Sequence, residues 1–194
     1  MTGRGVSGIV LAGGRSARFG RDKLAEPVDG RPLLEHAIGA VAGLSSEVLV
    51  VVAPGAEPIA PAGTILVHDP MAFEGPLVGL GAGLRAAREP FALVIGGDMP
   101  ALVVAVLERL ISGLDDDAVD VVVLEHDGRA RPLPMAVRVT PALAAADRLT
   151  AAGERRLRAL AETLPTRSIP EATWRTLDPD ARTIRDVDVP ADLP

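Results

Sequence analysis

The stretch Ile9-Val10-Leu11-Ala12-Gly13-Gly14-Arg15-Ser16-Ala17-Arg18-Phe19-Gly20-Arg21-Asp22-Lys23 organises the interpretation of the whole chain. It begins inside a short apolar run, Val6–Leu11, which is typical of a buried strand. A glycine pair, two arginines, a third glycine and an Arg-Asp-Lys triplet follow. Glycines let backbone N–H groups approach a phosphate closely, and lysine and arginine supply the countercharge. We therefore expect a strand that leads into an anion-binding loop, and our hypothesis is that this loop holds a nucleoside triphosphate.

Spacing alone leaves a second interpretation of this loop open. Glycine-rich turns often follow strands, and the stretch matches neither the G-x-G-x-x-G fingerprint nor the G-x-x-x-x-G-K-[ST] P-loop. The alternative is an ordinary turn with solvated cations. The length of the polar segment, residues 12–31, and its cations Arg15, Arg18 and Lys23 favour anion binding, because long loops in compact domains are usually functional.

Length and composition narrow the class of protein. The chain has 194 residues, of which 48% are hydrophobic, so residues 1–194 are expected to form one domain with a sizeable core. The formal net charge of −6 argues against a general nucleic-acid-binding surface. No apolar run approaches the roughly 18 residues of a membrane span. We expect no nucleic-acid or membrane partner, and a monomer or weak homo-oligomer.

Cysteine is absent, which excludes disulfides, thiolate metal sites and cysteine nucleophiles. Residues 1–8 contain one arginine and no long apolar segment, so the sequence predicts no signal peptide. Both features fit a cytoplasmic protein, which is the location we expect.

Apolar runs alternate with helical patterns along most of the chain. This alternation predicts an α/β fold with a three-layer, mostly parallel, Rossmann-like sheet. The predicted strands are residues 6–11, 48–53, 65–68, 91–95, 119–124, 166–169 and 183–187. The predicted helices are residues 31–43, 77–87, 101–114, 140–149 and 154–164.

A hairpin is predicted in the second half of the chain. Asp127-Gly128 is a strong turn signal, so residues 132–139 are expected to return as an antiparallel strand. The prolines in this strand lack a backbone N–H, which predicts an antiparallel edge of the sheet. Thr140 and Pro141 fit the N-cap and the first position of the next helix. His126, just before the turn, is expected at the surface.

Asp98 follows an apolar strand and a glycine pair. Ligands of parallel sheets bind at the carboxyl ends of the strands, and Mg²⁺ prefers oxygen ligands. If strands 6–11 and 91–95 are neighbours, Asp98 lies beside the first loop and can hold Mg²⁺. The alternative is a helix N-cap, since Pro100 stands near the start of the next helix. Taken together with the first loop, the metal role is favoured.

The segment from Leu11 to Lys23 resembles the signature of the MobA-like nucleotidyltransferases. These are the molybdenum cofactor guanylyltransferases and their relatives with the sugar-nucleotide pyrophosphorylase fold. The shared pattern is L-A-G-G-x-S-x-R-[FM]-G-x-D-K, which is long for a chance match. The resemblance covers nearly the whole chain and continues at Asp69 and residues 30–34, 75–80, 97–100, 153–156 and 186–193.

The resemblance implies a set of nucleotide contacts in the first loop. It implies that GTP is contacted through its base and phosphates by Leu11, Ala12, Gly13 and Gly14. Arg15 and Arg18 would face the triphosphate, and Lys23 would bind the phosphates and offset charge on the transferring α-phosphate. Arg18 and Lys23, with Asp98, are therefore the predicted catalytic residues.

The remaining implied roles lie further along the chain. Asp69 matches a family aspartate that contacts the nucleoside, and Asp98 matches the magnesium aspartate. Arg155 and Arg156 match positions that engage the acceptor, a molybdopterin-type molecule, so residues 125–194 are expected to form the acceptor-binding part. The implied reaction is in-line attack by the acceptor's phosphate oxygen on the α-phosphorus of GTP, which expels pyrophosphate without a covalent enzyme intermediate.

Two departures from the family pattern keep alternatives open. Val52-Ala53-Pro54 stands where molybdenum members often have Asn, which leaves the nucleotide base undecided. Asp186 and Asp188 replace the asparagines of N-x-N-T-P, so Asp188 is a candidate second magnesium ligand or a cap of the last turn. The alternative functions are a cytidylyl- or other nucleotidyltransferase with another acceptor, and a nucleotide-binding protein without turnover.

Overall fold

A seven-stranded sheet forms the centre of the structure, a computed structural model that describes residues 5–13, 23–58, 60–69, 75–187 and 189–192. The strands are β1 (Val6–Leu11), β2 (Pro27–Val28), β3 (Arg31–Pro32), β4 (Glu47–Val52), β5 (Ile65–His68), β6 (Phe91–Gly96), β7 (Val121–His126), β8 (Arg129–Arg138) and β9 (Thr166–Ile169). The main sheet has the order β5-β4-β1-β6-β8-β7-β9, and β2 pairs with β3 in a separate hairpin. Among the described strands of the main sheet, only β8 runs antiparallel to its neighbours.

Helices cover both faces of the sheet. They are α1 (Leu33–Ala42), α2 (Pro76–Ala86), α3 (Val104–Ser112), α4 (Val139–Ala151), α5 (Arg158–Thr163) and α6 (Glu171–Trp174). Short 3₁₀ turns occupy Lys23–Ala25, Gly113–Asp115, Arg182–Ile184 and Pro190–Asp192. Among the described residues, no helix has the length and apolar character required to cross a bilayer.

The strands alternate their side chains between two hydrophobic cores, because successive residues of a strand point to opposite faces. Val10, Val50 and Ile95 pack with α1 and α3 on one face. Ile9 and Val51 pack with α2, α4 and α5 on the other face. The predicted three-layer, mostly parallel α/β fold is confirmed.

Three of the predicted strands, β1, β5 and β9, begin and end at the predicted residues. β6 extends one residue further than predicted, β4 is shifted by one residue and β7 by two. β1 pairs with β6 in parallel, with Leu11 opposite Gly96. β1 and β6 are therefore neighbours, which was the condition for Asp98 to lie at the same edge of the sheet as the start of the first loop.

The predicted position of the antiparallel strand is wrong. β8 lies in the interior of the sheet, between β6 and β7, rather than at an edge. Its pairing with β6 begins at Met135, and its pairing with β7 jumps from Met135 to Arg131 at an irregularity. Pro132 and Pro134 fall in this unpaired interval, so their missing N–H groups cost no ladder hydrogen bond.

Three further local predictions are wrong. Thr140 is not an N-cap, because α4 begins at Val139 and no side chain caps it. Residues 154–157 precede α5, since the Glu154 carboxylate accepts the backbone N–H groups of Arg155 and Arg156 and so competes with a helical turn. The segment 183–187 is not a strand, and its first residues belong to the 3₁₀ turn Arg182–Ile184.

The predicted loop at residues 12–31 also contains regular structure in its described part. A 3₁₀ turn at Lys23–Ala25 precedes the β2–β3 hairpin. Arg31 and Pro32 belong to β3, so α1 begins at Leu33 rather than at Arg31.

Helix α2 approaches the sheet closely through Gly83. A Cβ atom at Gly83 would lie 2.8 Å from Cγ2 of Ile9 and 3.0 Å from Cγ2 of Val51. Both neighbours are buried β-branched side chains with little rotamer freedom. The weak helix propensity of this glycine-rich segment is therefore the consequence of a packing requirement.

Replacing Gly83 by alanine should lower the free energy of unfolding by up to about 2 kcal/mol, because the cost of overpacking outweighs the gain in helix propensity. The matched control is Gly39→Ala in α1, where no atom lies within 4 Å of the added Cβ. The control should stabilise the protein by up to about 1 kcal/mol. Urea denaturation measures both variants, and equal stabilisation in both would contradict the packing account.

Candidate active site

Polar residues collect at one edge of the sheet, where the carboxyl ends of β1, β4, β5 and β6 meet. The backbone N–H of Ala12 donates to Val51 (2.8 Å), that of Asp69 to Val52 (2.8 Å), and that of Gly97 to Leu11 (2.9 Å). These bonds continue the ladders one residue beyond the strands. They fix the start of the first loop and the residues that follow β5 and β6 on one rigid rim.

Lys23 and Asp98 are in direct contact at this rim. The Lys23 Nζ donates to Asp98 Oδ2 at 2.7 Å and to the Val187 carbonyl at 2.9 Å. The backbone N–H of Val187 donates to the Asp98 carbonyl at 2.9 Å. We call these three residues the Lys23–Asp98–Val187 triad. It brings together residues that are 164 positions apart, and it connects the first loop, the end of β6 and the C-terminal segment.

Apolar packing supports the same contact. The Val187 side chain is buried in a small cluster with Val28 of β2 and Leu33 of α1, and Leu24 packs against this cluster. The 3₁₀ turn that begins at Lys23 and the C-terminal segment therefore share a core of their own. This core holds the Lys23 side chain over Asp98.

Asp98 does not cap a helix. The N-cap of α3 is Val103, so the alternative prediction for Asp98 is wrong. Its carboxylate folds back over Gly96, where a Cβ atom would lie 2.5 Å from Oδ1. The glycine pair before Asp98 thus leaves room for the carboxylate at the rim.

Asp69 lies on the other side of the end of β1 from Asp98. It follows β5, and its Oδ2 would lie 3.4 Å from a Cβ atom at Gly79 of α2. Asp69 is thus separated from the Lys23–Asp98 contact, because β4 and β1 lie between β5 and β6 in the sheet. Leu11, Ala12 and Gly13 lie between them at the end of β1.

A turn at residues 153–157 packs against the start of α2. Leu77 donates to the Arg155 carbonyl (3.2 Å), and Gly75 has a φ of +103°, with a Cβ position only 2.8 Å from Cβ of Arg155. A side chain is excluded at Gly75 on both grounds. The Arg155 guanidinium donates to the carbonyls of Thr150 (2.9 Å) and Glu154 (3.0 Å).

Glu154 holds this turn together. The side-chain hydrogen bond from Arg156, followed by the backbone N–H groups of Arg156 and Arg155, keeps the pKa of Glu154 well below its usual range. In return, Glu154 raises the pKa of the Arg156 guanidinium. Both arginines that resemblance assigns to the acceptor therefore have structural partners in this turn.

A cleft of about 620 Å³ opens near the C-terminal segment. Because β7 is parallel to β6, the end of β7 faces the same rim as Asp98. The residues that line the cleft are His126, Arg131, Arg175, Asp180, Ala181, Ile184, Arg185, Asp186 and Asp192. Sequence reasoning missed this cleft, because its lining comes from separate segments.

His126 belongs to a hydrogen-bonded cluster rather than to the open surface, so the prediction for it is wrong. Its Nδ1 lies 3.0 Å from Oε1 of Glu171, which also accepts from Nε of Arg175 at 3.1 Å. Oε2 of Glu171 accepts the backbone N–H of Asp127 at 2.9 Å. Among the described residues, His126, Asp127 and Glu171 form the one group with the spacing of metal ligands. Arg175 already supplies its countercharge.

Four predicted site residues lie outside the described part of the chain. They are Gly14, Arg15, Arg18 and Asp188. Their predicted roles stay predictions.

Comparisons with known proteins agree with this architecture. A sequence profile of the MobA-like NTP transferase domain matches residues 8–168. The chain belongs to this family. It is an enzyme of the nucleotidyltransferase class, as the resemblance at residues 11–23 implied.

Several relatives match nearly the full chain. A probable molybdenum cofactor guanylyltransferase of Mycobacterium marinum is 38% identical, over 97% of this chain and 92% of the relative. One of Chloroflexus aggregans is 40% identical, over 97% and 91%. Among solved structures, the molybdopterin-guanine dinucleotide biosynthesis protein A of Archaeoglobus fulgidus has a TM-score of 0.80 at 22% identity and covers 96% of this chain and 94% of its own.

A second group of enzymes has the same fold. The 2-C-methyl-D-erythritol 4-phosphate cytidylyltransferase of Thermus thermophilus has a TM-score of 0.70 at 19% identity, over 95% of this chain and 94% of its own. At this identity the likeness concerns the fold alone.

The contact between Lys23 and Asp98 should be measurable in a double-mutant cycle with Lys23→Met and Asp98→Asn. The side chains are only 13% and 26% exposed, so we expect a coupling free energy of about 1–3 kcal/mol in urea denaturation. The control cycle is Arg85→Met with Asp147→Asn, a pair whose side chains are 57% and 54% exposed. It should give less than about 1 kcal/mol. Equal coupling free energies in the two cycles would show that the Lys23–Asp98 contact is no stronger than an exposed ion pair.

Acid should weaken the turn at residues 153–157. A carboxyl whose pKa is lowered in the folded state stabilises the fold above its unfolded pKa, here the ordinary value of 4.5, and this contribution declines as the pH falls below that value. Wild type should therefore lose more stability between pH 6 and pH 3.5 than Glu154→Gln does. Urea denaturation at both pH values tests this, and an equal loss would show that Glu154 carries no such contribution.

Proposed function

We propose that this enzyme transfers GMP from Mg·GTP to the phosphate of a molybdopterin-type acceptor and releases pyrophosphate. The observation that carries the proposal is the Lys23–Asp98–Val187 triad at the carboxyl rim of the sheet. It sets a cation and a carboxylate beside the start of the glycine-rich loop. The relatives named molybdenum cofactor guanylyltransferase support the choice of GTP and of the acceptor.

The chemistry of Asp98 fits a magnesium ion. The ion usually binds one or two carboxylates, with substrate phosphates and water as its other ligands. Asp98 offers a partly exposed carboxylate with the room that Gly96 leaves. We assign Asp98 as the metal ligand and Asp188, next to Val187 in the chain, as its second carboxylate. Bound there, Mg²⁺ would neutralise phosphate charge.

Lys23 would supply the positive charge on the protein side. Its Nζ shares Asp98 and the Val187 carbonyl, so its side chain is held at the rim before substrate arrives. Charge that accumulates on the phosphate oxygens in the transition state would be stabilised by such a fixed cation at little reorganisation cost. Arg15 and Arg18 would add charge to the triphosphate from the same loop.

The nucleoside would lie along the end of β1. Leu11, Ala12, Gly13 and Gly14 would present backbone groups to the base and phosphates, and Asp69 would contact the nucleoside beside α2. Ala12 is held by the carbonyl of Val51, and a Cβ atom at Gly13 would lie 3.7 Å from the backbone N of Ala53. The base would therefore contact the ends of both β1 and β4. The acceptor would bind on the side formed by residues 125–194.

Turnover should depend on the two contacting side chains. Asp98→Ala should abolish pyrophosphate release from GTP in the presence of Mg²⁺ and molybdopterin while the fold stays intact, because Asp98 is not a core residue. Lys23→Ala should lower kcat about 100-fold or more, since it removes a charge that stabilises the transition state. Asp147→Ala, which removes an exposed carboxylate on α4, is the control and should leave the rate unchanged.

Parallel assays with GTP and CTP decide between the nucleotidyltransferase alternatives. Pyrophosphate release from GTP alone, dependent on molybdopterin, supports the proposal, whereas release from CTP alone contradicts it. Near-normal turnover by Asp98→Ala would remove Asp98 from the metal site. Unchanged kcat with weaker GTP binding in Lys23→Ala would reduce Lys23 to a binding residue.

A further inference from the structure

The cleft near the C-terminal segment contains an arginine that the proposed chemistry does not use. Arg131 stands near the start of β8, on the strand next to β6. Its Nε is buried without a hydrogen-bond partner, and its Nη2 makes a long 3.5 Å contact with the Ile184 carbonyl. Within the described part of the chain, no carboxylate pairs with it. A buried guanidinium N–H without a partner is costly, and a bound ligand would satisfy it.

The other arginines of the cleft have partners within the protein. Arg175 donates to the Glu171 carboxylate and, at 2.7 Å, to the Pro179 carbonyl. Arg185 donates to the Asp180 carbonyl at 2.6 Å. Arg131 is the lining arginine whose Nε is buried without a hydrogen-bond partner among the described residues.

Arg131 is also close to the triad. The carbonyl that it contacts belongs to Ile184, and Val187, three residues later, bonds to both Lys23 and Asp98. Three residues of chain span at most about 11 Å. An acceptor whose phosphate lies at the triad can therefore reach Arg131 with the rest of the same molecule.

The antiparallel register gives the same answer. The last pair between β6 and β8 is Val94 with Met135. Against β7, strand β8 passes directly from Met135 opposite Val123 to Arg131 opposite Leu124, so Arg131 lies one pair beyond Met135, at the level of Ile95 near the end of β6.

We propose that this cleft binds the ring system of the acceptor, with Arg131 donating to a ring oxygen and the Asp186 carboxylate accepting from ring N–H groups. This inference rests on the proposed function for the identity of the acceptor. Arg131 would be a specificity-determining residue, because it recognises the part of the acceptor that does not react. The cleft volume of about 620 Å³ is in the range of small-molecule sites.

Calorimetric titration of molybdopterin into the nucleotide-free protein, under anaerobic conditions, tests the assignment. Arg131→Gln should weaken molybdopterin binding about 10- to 100-fold, the range for the loss of hydrogen bonds from a charged donor. Arg131→Lys should recover part of the affinity. The matched control is Arg129→Gln, an exposed arginine of the same strand, and its affinity should equal that of wild type. Affinity for Mg·GTP should be unchanged in all three variants.

Equal binding of molybdopterin by wild type and Arg131→Gln would overturn the assignment, and so would a parallel loss of Mg·GTP affinity. Absence of molybdopterin binding to wild type would overturn it as well. Arg131-dependent binding without pyrophosphate release from GTP would refute the proposed function and leave the cleft assignment standing. Turnover of GTP with an acceptor KM that is the same in wild type and Arg131→Gln would refute the cleft assignment and leave the proposed function standing.

Discussion

The hydrogen bonds of the Lys23–Asp98–Val187 triad are the interaction on which the candidate site depends. The two that Lys23 donates are charge-assisted, and its contact with Asp98 is partly shielded from water, so it is stronger than an ordinary surface pair. The three hydrogen bonds also hold the end of the first loop, the residues after β6 and the C-terminal segment together at one point of the rim, although these segments are distant in the sequence. Loss of any one of the three hydrogen bonds would weaken the attachment of Lys23 to Asp98 or of the C-terminal segment to the rim.

The sheet makes this meeting point possible. Parallel pairing of β1 with β4 and β6 brings the carboxyl ends of three neighbouring strands to one rim. β7 is parallel to β6 and ends at the same rim, from which the antiparallel strand β8 returns. Two cores, one on each face, keep the strands rigid, and glycines at 83 and 75 let α2 and the turn at 153–157 pack closely. The end of β1, Asp98 and the end of β7 therefore lie along one continuous edge of the sheet.

The parts of this architecture that the sequence predicted are those with local signals. Apolar runs located β1, β5 and β9 at their true bounds, and a polar residue at a strand end indicated Asp98. The signature at residues 11–23 indicated Lys23, but only the fold shows that its partner in the C-terminal segment is a backbone carbonyl, which has no signature. The interior position of β8 could not be predicted, because the sequence does not show that Pro132 and Pro134 fall in an interval where β8 forms no ladder hydrogen bonds. His126, Glu171 and Arg131 were missed since their contacts join separate segments.

A crystal structure with Mg²⁺ and a non-hydrolysable GTP analogue would test the roles of Lys23 and Asp98. We expect the triphosphate at the carboxyl rim, with Lys23 Nζ within hydrogen-bond distance of a phosphate oxygen and the Asp98 carboxylate bound to Mg²⁺. A nucleotide bound away from this rim, with the Lys23–Asp98 contact intact and the metal on other residues, would contradict this expectation.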